Sequence, residues 1–377
     1  MPTIEDHIKD LEDLLHKTIP NKHTMKSIVT LKANIAKLRR ELVKELSSKG
    51  GGGVGFSIKR SGDAQVAFVG YPSTGKSTLL NILTEGHTDS KVAAYDFTTV
   101  DCIPGTMKYN KITIQLLDLP GIILGASHGK GRGREILSVL RAVDLILIIM
   151  DFNYEGMMDS SRLDIIKTEL DNIGIRINRK PPKINIKVLP KGGLGMTSGV
   201  RLTQLNRDYV KTICQEYSIT NAHITFYEDS SPEDLIDALL GNCQYIPAFI
   251  VVNKIDIAKP EEKERLLSGD LLPGEDFITV SGVTMEGIDD FRQKVYDKLD
   301  LIRVYLKPRV KEIDFEKPLI MKKGSTIKDA CAKIHKDFVN QFRFAKVWGK
   351  SAKHPGQVVQ IKHVLEDEDI LCIFLRK

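Results

Sequence analysis

Apolar residues recur at helical spacing through residues 3–47. Ile4, Ile8, Leu11 and Leu15 share one face, Pro20 breaks the chain, and Ile28, Leu31, Ile35, Leu38 and Leu42 follow at alternating intervals of three and four. The other face of the second run carries Lys26, Lys32, Lys37, Arg39, Arg40 and Lys44. This pattern predicts a helical hairpin with a basic outer surface, either solvated or applied to RNA or an acidic partner. Glycines at 50–53 and 55 predict a flexible joint. From Ala64 the period changes. Apolar runs at 64–69, 112–117, 144–151, 246–253 and 277–280 read as strands, with helical stretches between most of them. That alternation predicts a doubly wound, mostly parallel α/β sheet.

One interval is too long for a single crossover. About 95 residues separate Asp151 from Ile246, where a strand–helix–strand unit needs only about 30. The crossover helix falls near 160–172. The remainder, about 174–241, has strand signals at 184–188 and 223–227 and a helix near 205–217, and reads as a small inserted α/β domain. Within it, residues 191–195 (Lys-Gly-Gly-Leu-Gly) read as a flexible loop. Beyond a helix at 287–301 the chain crosses Lys307-Pro308 into strands at 318–321 and 370–374 flanking a helix at 327–338, a small mixed-sheet module. The expected domains are a helical unit with its joint at 1–60, the main sheet domain at 61–302 and the last module at 303–377.

Composition adds limits. A chain of 377 residues with 42% hydrophobic and 28% charged positions is expected to fold into several soluble globular domains. The charged N-terminus lacks a signal-peptide core, and the aliphatic run at 145–150 is far too short to span a bilayer. Cys102, Cys214, Cys243, Cys331 and Cys372 form no C-x-x-C pair, which argues against a disulfide framework or zinc site and for a reducing compartment. A net charge of +6 permits nucleic-acid binding without requiring it.

The candidate chemistry lies in loops that follow strands. Gly70-Tyr71-Pro72-Ser73-Thr74-Gly75-Lys76-Ser77 fits G-x-x-x-x-G-K-S/T between a strand and a helix beginning near Thr78. Backbone N–H groups of such a loop converge on phosphate oxygens, and the helix N-terminus adds its positive end. Lys76 would neutralise β- and γ-phosphates, and the Ser77 hydroxyl would bind Mg2+. Gly70, Pro72, Ser73, Thr74, Gly75 and Thr78 complete the candidate cradle. Asp118-Leu119-Pro120-Gly121 follows the next strand; Asp118 can orient a Mg2+-bound water and Gly121 can offer its N–H to the γ-phosphate. Asn253-Lys254-Ile255-Asp256 ends another strand, and its Asp carboxylate can accept two hydrogen bonds from guanine but not from adenine. Ser281-Gly282-Val283 stands where a loop could support the base. In the segment Phe97-Thr98-Thr99, either threonine could complete the Mg2+ shell.

This order of motifs looks like the Obg-related branch of translation-factor-class GTPases, and most resembles the developmentally regulated GTP-binding proteins. Residues 116–122 (Leu-Leu-Asp-Leu-Pro-Gly-Ile), 129–134 (Gly-Lys-Gly-Arg-Gly-Arg), Ile175-Arg176-Ile177-Asn178, Val347-Trp348-Gly349 and 365–370 also match that family. The resemblance implies an N-terminal helical domain, a P-loop GTPase domain interrupted by a small α/β insert, and a C-terminal TGS domain of β-grasp type. It also implies a cytoplasmic GTPase that uses GTP/GDP and Mg2+. The implied partners are the ribosome or RNA and a dedicated stabilising protein, with no role for DNA or membrane. Thr99 is then favoured over Thr98, and Lys76, Thr99 and Gly121 become the catalytic set, with Ser77, Thr99 and Asp118 at the metal.

Two positions depart from the family pattern. Gly282 replaces the usual Ala, and Ile122 replaces the water-orienting Gln of Ras-like relatives. An aliphatic side chain cannot polarise water, so intrinsic turnover should be slow and no general base is assigned. The missing charge is sought in K+ at the P-loop or in Arg132 or Arg134; His128 lies on the same loop. Two functional readings follow, a GTP-driven switch formed by residues 86–99 and 119–133 or a nucleotide-stabilised tether for RNA or a partner. In the last module, Lys346, Lys350, Lys353 and His354 surround Trp348, which reads either as a core residue or as a base-stacking platform. The acidic run 366–369 reads as a turn facing water.

Overall fold

The computed structural model describes residues 3–21, 23–48, 60–84, 103–119, 139–308 and 312–376. Helices α1 (Ile4–Lys17) and α2 (Met25–Ser48) form the N-terminal hairpin, and Thr3 and Asp6 close a capping box at the start of α1. The main sheet comprises β1 (Ala64–Gly70), β2 (Ile103–Tyr109), β3 (Ile112–Asp118), β4 (Leu145–Asp151), β10 (Ala248–Asn253) and β11 (Phe277–Thr279), in the order β11-β10-β4-β1-β3-β2. All neighbours pair in parallel except β2, which runs antiparallel to β3 at the edge.

Every residue of β1 and β10 is buried. Strands covered on both faces favour near-continuous apolar sequence, and the interiors of these runs supply it except at Gln65, whose amide donates to Gln115 Oε1 at 2.8 Å. Alternate residues feed two cores. Ala67, Val69, Ile148 and Ile250 meet Leu163 and Ile166 of α4 (Ser161–Asn172) on one face. Phe68, Leu147 and Val251 meet Leu79 of α3 (Lys76–Leu83) and Phe291 of α8 (Ile288–Leu299) on the other. Helix α7 (Pro260–Leu267) links β10 to β11.

Between α4 and β10, the short strands β5 (Ile175–Ile177) and β9 (Gln244–Ile246) pair in parallel. The chain between them builds β6 (Ile184–Val188), β7 (Leu194–Ser198), α5 (Arg207–Glu216), β8 (Ala222–Phe226) and α6 (Pro232–Leu240). Its sheet runs β6-β8-β7. The predicted flexible loop at 191–195 is corrected here: positive φ at Gly192 and Gly193 turns the chain, and Leu194 then begins a strand parallel to β8. Two apolar positions, Leu194 and Met196, were too few to signal it.

The hairpin packs on this inserted unit. Val29 and Ala33 of α2 join Leu205, Ile213, Phe226 and Leu235 in one core. The Lys32 ammonium donates to Glu233, Lys37 Nζ to Glu216 O at 3.3 Å, and Arg39 to Glu12 at 2.6 Å. Much of the face read as a candidate RNA surface is therefore satisfied internally, while Lys26 and Arg40 remain exposed.

The last sheet contains β12 (Leu301–Leu306), β13 (Leu319–Lys322), β14 (Phe342–Trp348), β15 (Gln357–Val359) and β16 (Ile370–Leu375), ordered β13-β12-β16-β14-β15. Helix α9 (Ile327–Ile334) packs Ile327 and Ala330 into its core, and α10 (Phe338–Gln341) follows. The single predicted helix at 327–338 divides because His335 is extended. Trp348 is half-buried, with Lys307 Nζ 4.6 Å above its ring and Gly356 close against the indole, so the ring is not a free stacking platform. The acidic run also departs from expectation. Asp367 pairs with Arg303 through two bonds of 2.7 and 3.2 Å, and Asp369 is buried, accepting from Ser351 N and Glu366 N. Among the described residues, no helix is long and apolar enough to cross a membrane.

Candidate nucleotide-binding site

The loop after β1 is shaped by backbone conformations that few residues adopt. Ser73 and Gly75 have φ of 64° and 87°. A Cβ at Gly75 would lie 2.3 Å from Asn253 Nδ2, and one at Gly70 would lie 2.5 Å from Ile149 O. Glycine at 75 is thus demanded by conformation and by space. Pro72, Ser73, Ser77 and Thr78 are exposed at the mouth, while Thr74 is buried and its Oγ1 donates to Tyr71 O at 3.0 Å. Lys76 is buried, and its Nζ donates to Tyr71 O at 2.8 Å and Gly70 O at 3.2 Å. Burial pulls its pKa below the usual lysine value, against the opposing fields of Asp118 and Asp151.

Asp118 closes β3 one strand away. Ser77 Oγ donates to Asp118 Oδ2 at 2.5 Å, and Asp118 Oδ1 is buried without a hydrogen-bond partner among the described residues. An orphaned carboxylate oxygen beside a hydroxyl is a hard-oxygen donor set, which fits Mg2+.

At the other end of the site, Asn253 closes β10. Its Nδ2 donates to Thr74 O at 3.0 Å, and its Oδ1 accepts from Gly282 N at 3.3 Å. Asp256 sits exposed in the 3-10 turn Ile255–Ile257. Ser281 Oγ accepts from Val283 N and Thr284 N at 3.1 and 3.0 Å, so its hydroxyl proton is directed to Asp256 Oδ1 at 2.6 Å. That bond orients the carboxylate and leaves acceptor capacity for a base. Val283 is exposed beside it.

Motif reading assigned no role to Asp151. It ends β4 in register with Asn253, and Lys254 Nζ bridges Asp151 Oδ2 at 2.6 Å to Ser73 O at 2.8 Å. Arg162 of α4 approaches Asp151 at 3.9 Å and lies 5.0 Å over the Tyr71 ring. A carboxylate closing an apolar strand at this edge was the available signal. Phe97, Thr98, Thr99 and Gly121 lie outside the described residues, as do Ile122, His128, Arg132 and Arg134. The described candidates nonetheless converge. An ammonium, a helix N-terminus, a hard-oxygen pair and a two-acceptor carboxylate gather at the carboxyl end of one sheet.

Residues 65–188 match a family model described as 50S ribosome-binding GTPase, residues 191–301 match the C-terminal region of that domain, and residues 302–375 match the TGS domain. A GTP-binding protein of Methanocaldococcus jannaschii is 48% identical over 99% of this chain and 93% of its own. Developmentally-regulated G-protein 3 of Arabidopsis thaliana is 45% identical over 99% of both chains. Ribosome-interacting GTPase 1 of Saccharomyces cerevisiae is 42% identical, again over 99% of both. The chain belongs to the developmentally regulated GTP-binding protein family, and it is a GTPase with a P-loop domain and a C-terminal TGS domain.

Proposed function

We propose that this GTPase is a Mg2+-dependent, ribosome-associated switch of translation with slow intrinsic turnover, working in the cytoplasm. The observation that carries the nucleotide-binding part of the reading is the bond from Asn253 Nδ2 to Thr74 O, which ties the phosphate cradle to the base loop. In that arrangement Lys76 exchanges its loop carbonyls for β- and γ-phosphate oxygens, and the N-terminus of α3 faces the same charge. Asp256, oriented by Ser281, accepts from the guanine edge, and the loop at 281–283 supports the base.

Ser77, Asp118 and Thr99 would hold the metal, which when bound offsets charge developing between the β- and γ-phosphates. Gly121 would offer its N–H to the γ-phosphate. Contacts from Thr99 and Gly121 to that phosphate would be lost on hydrolysis, which is the basis of the proposed switch. Ile122 supplies no water-orienting group. K+ beside Ser73 and an arginine at 132 or 134 are the two sources of the remaining charge. Turnover faster in KCl than in NaCl supports the cation, and equal rates remove it.

The ribosomal part rests on the relative named for ribosome interaction and on the ribosome-binding GTPase model matched by residues 65–188. Co-sedimentation with ribosomes in GTP, GDP and no nucleotide tests it. Binding confined to the GTP form supports a switch. Identical binding in all three supports the tether, in which nucleotide only stabilises the fold.

A further inference from the structure

The inserted sheet ends at β7, and no strand among the described residues pairs with that edge. Ala222 N donates to Gly193 O and Gly199 N donates to Phe226 O, each at 3.1 Å, which assigns odd-numbered residues of β7 to the ladder with β8. Two-residue alternation then points the backbone N–H and C=O groups of Leu194, Met196 and Ser198 away from the sheet. The opposite edge strand, β6, carries Lys187 and is followed by Pro190. Leu-Gly-Met-Thr-Ser has neither charge nor proline, the usual devices against edge pairing.

The surroundings are basic. Lys191 precedes the strand, Arg201 follows it, and Arg207 and Lys211 lie one turn apart on α5. All four are exposed and form no ion pair among the described residues. A cleft of about 470 Å3 separates the start of β7 from Arg207 and Lys211, with Asp208 the only carboxylate lining it among the described residues. At Gly192 and Gly193 no atom lies within 4 Å of a built Cβ, so approach to the backbone is open.

We propose that the β7 edge docks an extended acidic segment of a partner protein, which adds a strand to this sheet and turns carboxylates toward Arg207 and Lys211. A polypeptide supplies the alternating donors and acceptors that the outward groups of Leu194, Met196 and Ser198 require. An RNA backbone supplies phosphate acceptors and ribose hydroxyls, but no regular alternation of amide donors and carbonyl acceptors. The inference is independent of the switch reading.

The full-length protein is tested with an eight-residue peptide alternating Glu and Val, a Lys–Val counterpart and a single-stranded oligouridylate. The Glu–Val peptide should bind and slow amide exchange at Leu194, Met196 and Ser198, leaving Gly195 and Thr197 unchanged. Met196→Pro removes one outward N–H and no ladder bond, and should weaken binding about tenfold. Lys211→Glu should do the same without altering the fold or GTP turnover. No protection at those three amides overturns the proposal. So does equal binding of the Lys–Val peptide, or oligouridylate binding at this edge that is insensitive to Met196→Pro.

Discussion

Lys254 Nζ stands 2.6 Å from Asp151 Oδ2 while also donating to Ser73 O, so one carboxylate at the end of β4 anchors both the base loop and the phosphate loop. Asp151→Asn keeps the shape and removes the charge. Affinity for GTP and GDP should fall together by about tenfold, the scale of one charge-assisted hydrogen bond in a partly buried pair. The kcat should change little, because the residue positions loops and touches no reacting atom. Equilibrium binding with both nucleotides and steady-state kinetics check this; a loss confined to kcat would contradict it.

Ser77→Ala should raise the Mg2+ concentration needed for half-maximal turnover by about tenfold or more, since it deletes one ligand of a hard-oxygen pair. Stability without nucleotide should also fall, by about 1–3 kcal/mol, because the buried Asp118 carboxylate loses its Ser77 donor. Turnover measured across a Mg2+ titration decides the matter, and an unshifted curve removes Ser77 from the metal.

Two glycines should respond oppositely to Ala. At Gly282 the φ is ordinary, and a built Cβ meets Ile82 Cδ1 at 3.3 Å and Thr78 Cγ2 at 3.4 Å. A slight shift of the Ile82 methyl admits it, so Gly282→Ala should stabilise the protein by about 0.4–1 kcal/mol, chiefly by restricting the unfolded chain. Gly75→Ala meets Asn253 Nδ2 at 2.3 Å with φ at +87° and should abolish nucleotide binding. Urea unfolding and fluorescent-GDP titration of both variants test the contrast.

Asp256→Asn should shift preference from guanine to xanthine nucleotides. The amide donates where the carboxylate accepted, which suits the 2-carbonyl of xanthine and not the 2-amine of guanine. Competition binding with GDP and xanthosine diphosphate gives the answer, and retained guanine preference would count against the base assignment.

Lys76 gives the site a pH signature. Burial lowers its pKa in the nucleotide-free protein, whereas phosphate oxygens favour the ammonium and raise it. Between those two values binding takes up a proton, so GTP affinity should decline as pH rises through that alkaline window. The sign reverses for nucleotide-free stability. There the unfolded lysine, at its ordinary 10.5, holds more protons than the folded one below that value, and this group's contribution rises with pH. Calorimetry in two buffers of different ionisation heat measures the uptake; identical heats would exclude it.

Much of the fold was readable from local pattern. The runs in β1, β4 and β10 are almost wholly apolar because both faces are covered, the interior exception being Gln65, which donates to Gln115. Edge strands were harder to read. Pro104 and Gly105 disguise β2, tolerated there because it is the edge strand of this sheet among the described residues. The interior strand β14 was hidden for a different reason: Arg343 and Lys346 interrupt it, on a strand that is only partly covered.

The residue order alone determined the loop chemistry of this protein: the glycine turn with Lys76 and Ser77, the strand-ending Asp118 and the Asn253–Asp256 base loop. Each is a short segment whose conformation and donors are set by immediate neighbours. Tertiary structure alone decided that Asp151 holds Lys254, that Ser281 aims Asp256, that Lys32 and Lys37 of α2 bond the inserted unit and that β7 is the edge of its sheet among the described residues. Those relations join residues far apart in the chain, and sheet order and register, products of global packing, bring them within bonding distance.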